Sequence, residues 1–379
     1  MEQRLKVALV HDALPFMAGA ERVLEAALEV FPDAPVYTLV YNRRAFEGTP
    51  LAKRQVYTSF IDRLPWAHQA HRSFLPLYPL AIEQFDLHDY DLILSSSYAV
   101  AHGILTRPDQ THVCLMHTPL RYAWHQPHTI FQAGGIKSQL LRMWLHNFRQ
   151  WDFAASQRVD RYVAVSHWVA GLIWHAYRRP AHVIYPPVDV DRFTSLTPKG
   201  DYYLVVSRLA HHKRVDLIVQ AFSRLGLPLI VVGDGAERRR LSRLAAPNVK
   251  LLGWQSDEVI QELMGRAKAL VHAAAEEFGI ALVEAQAAGC PVIAYAGGGA
   301  LETVLEGRTG ILFQEQSVAS VLEAVTIFES GNLNYSPEEL RWNAERFRKE
   351  RFQMELLDFI TGNSEAIPIQ EAVSFPHAR

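Results

Sequence analysis

The chain has only two cysteines, Cys114 and Cys290, among 379 residues, and each sits inside an apolar run. That scarcity argues against a disulfide framework or a thiolate metal site and fits a reducing compartment. Long hydrophobic runs are missing as well. No uncharged stretch reaches the roughly 18 residues a membrane-spanning helix needs. The opening MEQRLKVALVHDAL carries an apolar segment too short for a signal peptide, and Asp12 interrupts it. The expectation is a cytoplasmic protein without a membrane span, with a peripheral place on the inner face of the plasma membrane left open. An excess of charge of one sign is also lacking. Lys and Arg number 38 against 40 Asp and Glu, a formal net charge of -2, which argues against a dedicated nucleic-acid binder.

What is present suffices for two cores. At 49% hydrophobic and 21% charged residues, a chain of this length exceeds what one core usually organises. Short apolar runs of strand type recur at Lys6 to His11, Leu92 to Ser95, His112 to Met116 and Tyr162 to Val165. A second series follows at Tyr202 to Val206, Leu229 to Val232, Val249 to Leu252, Ala269 to Ala273 and Pro291 to Ala294. Stretches of helical period lie between them, such as Ala20 to Phe31, Val215 to Leu225 and Val318 to Glu329. Strands buried on both faces read as near-continuous apolar runs, and their alternation with helices predicts an α/β doubly wound architecture. The alternation restarts near residue 200, after the Pro- and Asp-rich YPPVDVDRFTSLTPKG, so the boundary is placed near Thr197. From Thr361 onward the pattern is lost, and 363–379 is expected to be a frayed tail.

Candidate chemistry gathers at strand ends. Glu276-Glu277-Phe278-Gly279-Ile280-Ala281-Leu282-Val283-Glu284 follows an apolar run and reads as strand, loop, then helix from about Ile280. Ligands of open α/β sheets sit at the carboxyl ends of strands, and helix N-termini offer free N–H groups to anions. Loop amides from Phe278 to Leu282 suit a phosphate or sugar oxygens, with Glu276 and Glu284 as acceptors for hydroxyls. The plainer alternative is that Glu276 complements the helix dipole and Glu284 is solvated. Ser207 to Arg214 follows another strand: Arg208 leaves its carboxyl end and Lys213 opens the next helix. Two such cations can meet charge growing on a departing diphosphate, where one lost donor costs roughly 3 kcal/mol. In the first half, β-type Lys6 to His11 runs into Asp12-Ala13-Leu14-Pro15-Phe16-Met17-Ala18-Gly19, and His117 follows His112 to Met116. A single glycine or histidine at such a place is weak evidence alone.

Together these segments resemble the retaining GT-B glycosyltransferases of family 4. The likeness runs along most of the chain, through AGAERVL, YDLILSSSYAVAHG, CLMHTPLRYAW, RYVAVSHWV, VIYPPVDVDRF, VSRLAHHKRVDLIVQAF, EEFGIALVEAQAAGCPVIA and GGALETV. The resemblance implies two facing Rossmann-like domains with parallel sheets: 1–196 on the acceptor side and 197–345 binding the nucleotide sugar. A helix over 346–362 would cross back onto the first domain. It further implies that Arg208 and Lys213 hold the donor diphosphate and that Glu276 contacts the transferred sugar. Amides at Phe278, Gly279, Ile280 and Leu282 would help, and Glu284 would bind the ribose. Gly19 would approach the diphosphate, His117 would sit beside the sugar, and the base would lie near Gly253 and Trp254. Glu276, His117, Arg208 and Lys213 are thus the catalytic candidates. The chain departs from the family at Ala18, at the missing proline in HAAAEEFG and at Arg214, none of which removes a named charged group.

No cofactor is expected, since His211, His212, His125 and His128 are spaced unlike any well-known metal site. The blocks CLMHTPLRYAW and EEFGIALVEAQAAG are most similar to those of bacterial mannosyltransferases of O-antigen, capsule or exopolysaccharide synthesis. That implies GDP-mannose as donor, with UDP-sugars as the alternative, and a glycan or polyprenyl-diphosphate-linked acceptor. Two other classes compete. A dinucleotide oxidoreductase needs Gly-x-Gly-x-x-Gly, but Gly233-Asp234-Gly235 is followed by Arg238 where the third glycine belongs. A non-catalytic sugar-nucleotide-binding scaffold on the same fold is disfavoured by Arg208, Lys213, Glu276 and Glu284 occurring together. Finally, Leu140, Leu141, Trp144, Leu145, Phe148 and Trp151 form a helical stripe with Arg142, His146 and Arg149 beside it. The stripe suits either peripheral docking on anionic membrane or cover for the parallel sheet.

Overall fold

A computed structural model describes residues 5–125, 136–195, 198–331 and 335–362. The chain divides into two α/β units, Met1–Tyr185 with Phe352 onward, and Pro186–Arg351. His128, Thr197 and the expected tail over 363–379 lie outside the described residues.

In the first unit the apolar runs form β1 (Val7–His11), β2 (Val36–Thr38), β3 (Val56–Thr58), β4 (Leu92–Ser97), β5 (Thr111–Met116), β6 (Arg161–Ala164) and β7 (Ala181–Val183). All pairings are parallel, in the order β3-β2-β1-β4-β5-β6-β7. Alternating side chains divide between two faces. Leu9, Leu94 and Leu115 pack under the helix Gly19–Val30 and under Phe352, Leu356 and Phe359 of the final helix. Ala8, Val10 and Ile93 pack on the other face with Leu145 and Phe148 of the helix Ile136–Ser156. The stripe on that helix therefore covers the sheet. Leu145 and Phe148 are buried, and Trp151 donates its indole N–H to Glu83 at 2.9 Å. Arg149 donates to the Ala123 carbonyl at 3.2 Å, so it is not a solvated neighbour of an exposed stripe. Leu140 alone of the six is largely exposed. Among the described residues no helix is long and apolar enough to cross a membrane.

The second unit repeats the plan with β8 (Tyr203–Val206), β9 (Leu229–Val232), β10 (Val249–Gly253), β11 (Leu270–His272), β12 (Val292–Tyr295) and β13 (Gly310–Phe313). The sheet is parallel, in the order β10-β9-β8-β11-β12-β13. Val215, Val219 and Phe222 of the helix Val215–Leu225 and Val321 and Val325 of Val318–Glu329 close its core. In each sheet the order reverses beside the first strand, between β1 and β4 and between β8 and β11. Such a reversal leaves a crevice at the carboxyl ends.

Two expectations are corrected. Strands β2, β3, β7 and β13 lie outside the apolar runs read from the sequence: VYT, VYT and AHV carry polar residues that break such a run, and GILF opens on a glycine. The boundary falls between Tyr185 and Pro186 rather than at 196/197. The Pro- and Asp-rich stretch is not a free linker. Val188 donates to the Phe347 carbonyl at 2.8 Å, and Asp191 accepts from Arg341 at 2.6 Å and Arg348 at 2.8 Å. Those bonds make it an edge of the second unit. Residues 346–351 belong there too, and the helix Lys349–Thr361 enters the first unit only at Phe352.

Leu356 is fully buried under β1 and β4 although it lies far along the chain from them. Leu356→Ala should destabilise the first unit by about 2–5 kcal/mol. Denaturation followed by hydrogen exchange in each unit checks this: the loss belongs in the first unit, with the second unit's core strands unaffected.

Candidate functional site

The second unit's site is built from two neighbouring strand ends. Strand β8 delivers Ser207, the exposed Arg208 and a single 3-10 turn, His211–Lys213, closed by Arg214 in the left-handed region at φ 50°. Strand β11 ends in His272 and leads through Glu276 to the helix Ile280–Ala287. Because β8 and β11 are adjacent, Lys213 meets Glu276 across the reversal point. Its Nζ donates to both carboxylate oxygens, at 2.5 Å and 2.6 Å. The His272 Nε2 lies 3.0 Å from the same carboxylate. Burial by itself would raise the Glu276 pKa, but the Lys213 charge and the His272 ring outweigh it and hold the group well below the usual carboxylate range. Both partners are mostly covered, with 15% and 14% of their side chains exposed, so removing either leaves a poorly solvated charge.

Two close backbone approaches hold these loops. The Gly299 N–H donates to the Glu276 carbonyl at 2.8 Å, and a Cβ on Gly298 would stand 2.1 Å from that oxygen. At Gly233 a Cβ would stand 1.9 Å from the Ser207 carbonyl. The Gly233-Asp234-Gly235 segment is thus a backing for the Arg208 loop: Leu209 N–H donates to the Asp234 carbonyl at 2.8 Å. Only glycine permits such contact.

The remaining candidates in this unit divide by atom type. Gly279 takes φ 91° at the start of its helix, whose N-terminus has no side-chain cap. Phe278 and Leu282 are core side chains, Phe278 lying edge-on against Phe347 at 5.3 Å. The Leu282 amide, expected to meet a ligand, instead donates to the Gly279 carbonyl at 2.9 Å as the first turn of the helix closes, so that candidate is corrected. Ile280 and Glu284 are partly buried on that helix. Gly253 ends edge strand β10, and Trp254 beyond it is 76% exposed. The structure therefore brings Lys213 and Glu276 into direct contact, and leaves Gly253 and Trp254 at the sheet edge with β9 between them and β8.

In the first unit Gly19 opens the helix Gly19–Val30, and His117 follows β5. Here a polar end to an apolar sheet organises the reversal point. Asp12, just after β1, is fully buried, and its carboxylate accepts backbone N–H bonds from Tyr98, Ala99, Val100 and Ala101 at 2.5–2.9 Å. Each serine at the end of β4 meets a histidine. Ser95 lies 2.8 Å from His112 Nε2, Ser96 lies 2.8 Å from His117 Nε2, and Ser97 lies 3.1 Å from His102 Nδ1. Burial, and then the charge of His11, push the His117 pKa down to about 3, so its ring is neutral at physiological pH. Sequence reasoning missed His272, Ser96 and the role of Asp12. The histidine four residues before Glu276 and the Ser-Ser-Ser run closing an apolar strand were the available signals.

Two family models match the chain. "Glycosyltransferase Family 4" covers residues 17–192, and "Glycosyl transferases group 1" covers residues 189–347. Among curated proteins it is 27% identical over 178 residues to an uncharacterized glycosyltransferase of Methanocaldococcus jannaschii. It is 28% identical over 180 residues to a glycogen synthase of Xanthomonas campestris. Each match takes in 45% of this chain, which spans 50% and 36% of those relatives respectively. Among solved structures, Anabaena HepE in complex with UDP and glucose aligns with a TM-score of 0.71 at 20% identity, over 94% of this chain and all of that one. Sucrose-phosphate synthase of Thermosynechococcus elongatus aligns with a TM-score of 0.72 at 16% identity, over 95% and 99%. These likenesses establish the shared fold. With the two family matches meeting end to end across both units, the chain belongs to the glycosyltransferases of the family 4, GT-B type.

Proposed function

We propose that this chain transfers a hexosyl group from a nucleotide-diphosphate sugar, with retention, to a glycan or polyprenyl-diphosphate-linked glycan in bacterial surface polysaccharide synthesis. The observation that carries this is the Lys213–Glu276 pair at the reversal point of the second sheet. In the free protein each charge neutralises the other. A bound donor competes for both: its diphosphate takes the Lys213 ammonium together with Arg208, and its sugar hydroxyls donate to the Glu276 carboxylate. Charge growing on the leaving diphosphate is then met by cations already in place, the arrangement that lowers a barrier most economically. The helix that starts at Ile280 has no side-chain cap, and the positive end of its dipole favours an anion there. Glu284 on that helix is assigned to the ribose and Trp254 to the base; the family resemblance gives Gly19 to the diphosphate and His117 to the transferred sugar. No metal enters the scheme.

For the donor, the mannosyltransferase-like blocks favour GDP-mannose. A UDP-hexose is the second reading, favoured by the HepE complexes, which hold UDP, UDP and glucose, or UDP-glucose. Thermal shift separates them. A nucleotide at about a hundredfold its dissociation constant should stabilise by about 2.7 kcal/mol. GDP protecting more than UDP or ADP is the expected outcome, and UDP protecting most would move the donor to a UDP-sugar.

Arg208→Ala and Lys213→Ala should each lower transfer about a hundredfold or more, while EDTA leaves the wild type unaffected. Glu276→Gln should remove most transfer yet keep nucleotide affinity; Glu284→Gln should weaken nucleotide binding itself. Isothermal titration with nucleoside diphosphates, alongside sugar-transfer assays, checks all four. Loss of wild-type activity in EDTA, restored by manganese, would overturn the metal-free scheme.

The acid limb of stability is a separate test. Glu276 binds its proton far less readily folded than unfolded, so the pair stabilises above about pH 4.5 and is lost as pH falls below it. The second unit of Glu276→Gln should show a shallower acid loss than wild type in hydrogen exchange between pH 5 and 3, a window set by the ordinary carboxylate range.

A further inference from the structure

We infer that Thr303, Asn343 and Gln286, three polar side chains buried behind the second unit's site, are positioning residues that hold the main chain at Glu276 in place. Each is completely buried, so none of them reaches a ligand. They come from three elements: Gln286 from the helix Ile280–Ala287, Thr303 from the single turn Ala300–Thr303, and Asn343 from the helix Pro337–Glu345. The Asn343 amide donates to Gln286 Oε1 at 2.6 Å and to the Thr303 carbonyl at 2.9 Å. The Gln286 amide donates to the same Thr303 carbonyl at 2.9 Å and to the Leu282 carbonyl at 3.1 Å. Arg346 donates to Asn343 Oδ1 at 2.7 Å. Both amides thus use both hydrogens, and the Thr303 carbonyl uses both lone pairs. None of the three side chains titrates, and carbonyl oxygens only accept, so turning either amide over would set oxygen against oxygen. The direction of every bond is fixed.

One turn of chain carries this order to the site. The Thr303 hydroxyl and its N–H both donate to the Gly299 carbonyl, each at 3.0 Å. The Gly299 N–H in turn donates to the Glu276 carbonyl, and Gly298 pairs with Glu276 as a parallel bridge. A Cβ on Gly299 would stand 2.4 Å from the Phe278 main chain, so backbone lies flush on backbone with no side chain between. A shift of the turn is therefore passed to Glu276 rather than absorbed. Apolar side chains of the same shape could fill these volumes at little cost in stability. They would not set the direction and distance that a fully satisfied polar network sets. The use of a fixed Glu276 for a sugar rests on the proposed transfer; the fixing of its main chain does not.

The test has a ligand-free arm. Thr303→Val is nearly isosteric and removes only the hydroxyl donor, Thr303→Ser keeps that donor, and Asn343→Leu removes the bonds to Gln286 and Thr303. Amide hydrogen exchange of the whole chain reads the Gly299 N–H. It should exchange about fivefold faster or more in Thr303→Val and Asn343→Leu, while the core amides of β8 and β12 keep their wild-type rates. Thr303→Ser should stay near the wild type. An unchanged Gly299 rate, or core amides that speed up equally, overturns the inference. Should Asn343→Leu fail to fold, Thr303→Val and Thr303→Ser decide alone. In the activity arm, kcat should fall about fivefold in Thr303→Val and on the order of tenfold in Asn343→Leu, with Thr303→Ser restoring most of it. Affinity for the nucleoside diphosphate should stay within about twofold, because a displaced Glu276 is felt at the sugar. An active wild type whose kcat is indifferent to Thr303→Val and Asn343→Leu also overturns the inference. A wild type that shows the exchange responses but transfers no sugar would sink the proposed function and leave the fixed main chain standing.

Discussion

The contact between Lys213 and Glu276 is the constraint around which the second unit's carboxyl edge is arranged. Neither charge is well solvated, so each depends on the other, and losing one partner of a covered pair costs about 3–5 kcal/mol. The backbone is shaped to keep them together. A left-handed Arg214 ends the turn that presents Lys213, and Gly298 and Gly233 let neighbouring loops press against the main chain of Glu276 and Ser207. On the proposed reading, Lys213 and Glu276 exchange each other for a phosphate and a sugar hydroxyl that arrive on one molecule.

The first unit solves the same problem at its own reversal point with hydroxyl and imidazole groups and one buried carboxylate. Strand β4 is apolar until Leu94 and then runs Ser95-Ser96-Ser97. Those hydroxyls would be costly inside a sheet covered on both faces, and each is satisfied by a histidine ring. Asp12 anchors the following turn by accepting four main-chain N–H groups, which fixes where β4's end lies relative to β1's. Rigid strand ends are what make a ring such as His117 usable, since its orientation is set before a ligand arrives.

A third group of bonds explains how the chain is parsed into units. Proline and aspartate suggest a linker to the eye, but Asp191 is gripped by Arg341 and Arg348, far ahead in sequence. The segment is ordered by a distant partner. The same distance effect places Leu356 in the first core, where no local pattern could have assigned it.

The doubly wound class, the run of strands long enough to show a pattern, and the charged strand-end candidates Arg208, Lys213, Glu276 and Glu284 were all legible in the amino-acid order. Burial on both faces of a parallel sheet writes itself into a strand as a run of apolar residues, and chemistry at carboxyl ends follows such runs directly. The amino-acid order could not say that Lys213 and Glu276 touch, that His272 joins them, that Ser96 stands between His11 and His117, or that Phe278 and Leu282 turn into the core. Nor did it mark β2, β3 and β7, where Tyr, Thr or His breaks the apolar run, or the true place of Pro186 to Asp191. Most of those features are contacts between residues far apart along the chain. Local period records which face a residue prefers, whereas its partner is chosen by strand order, register and the helices laid across the sheet, which exist only once the chain has folded.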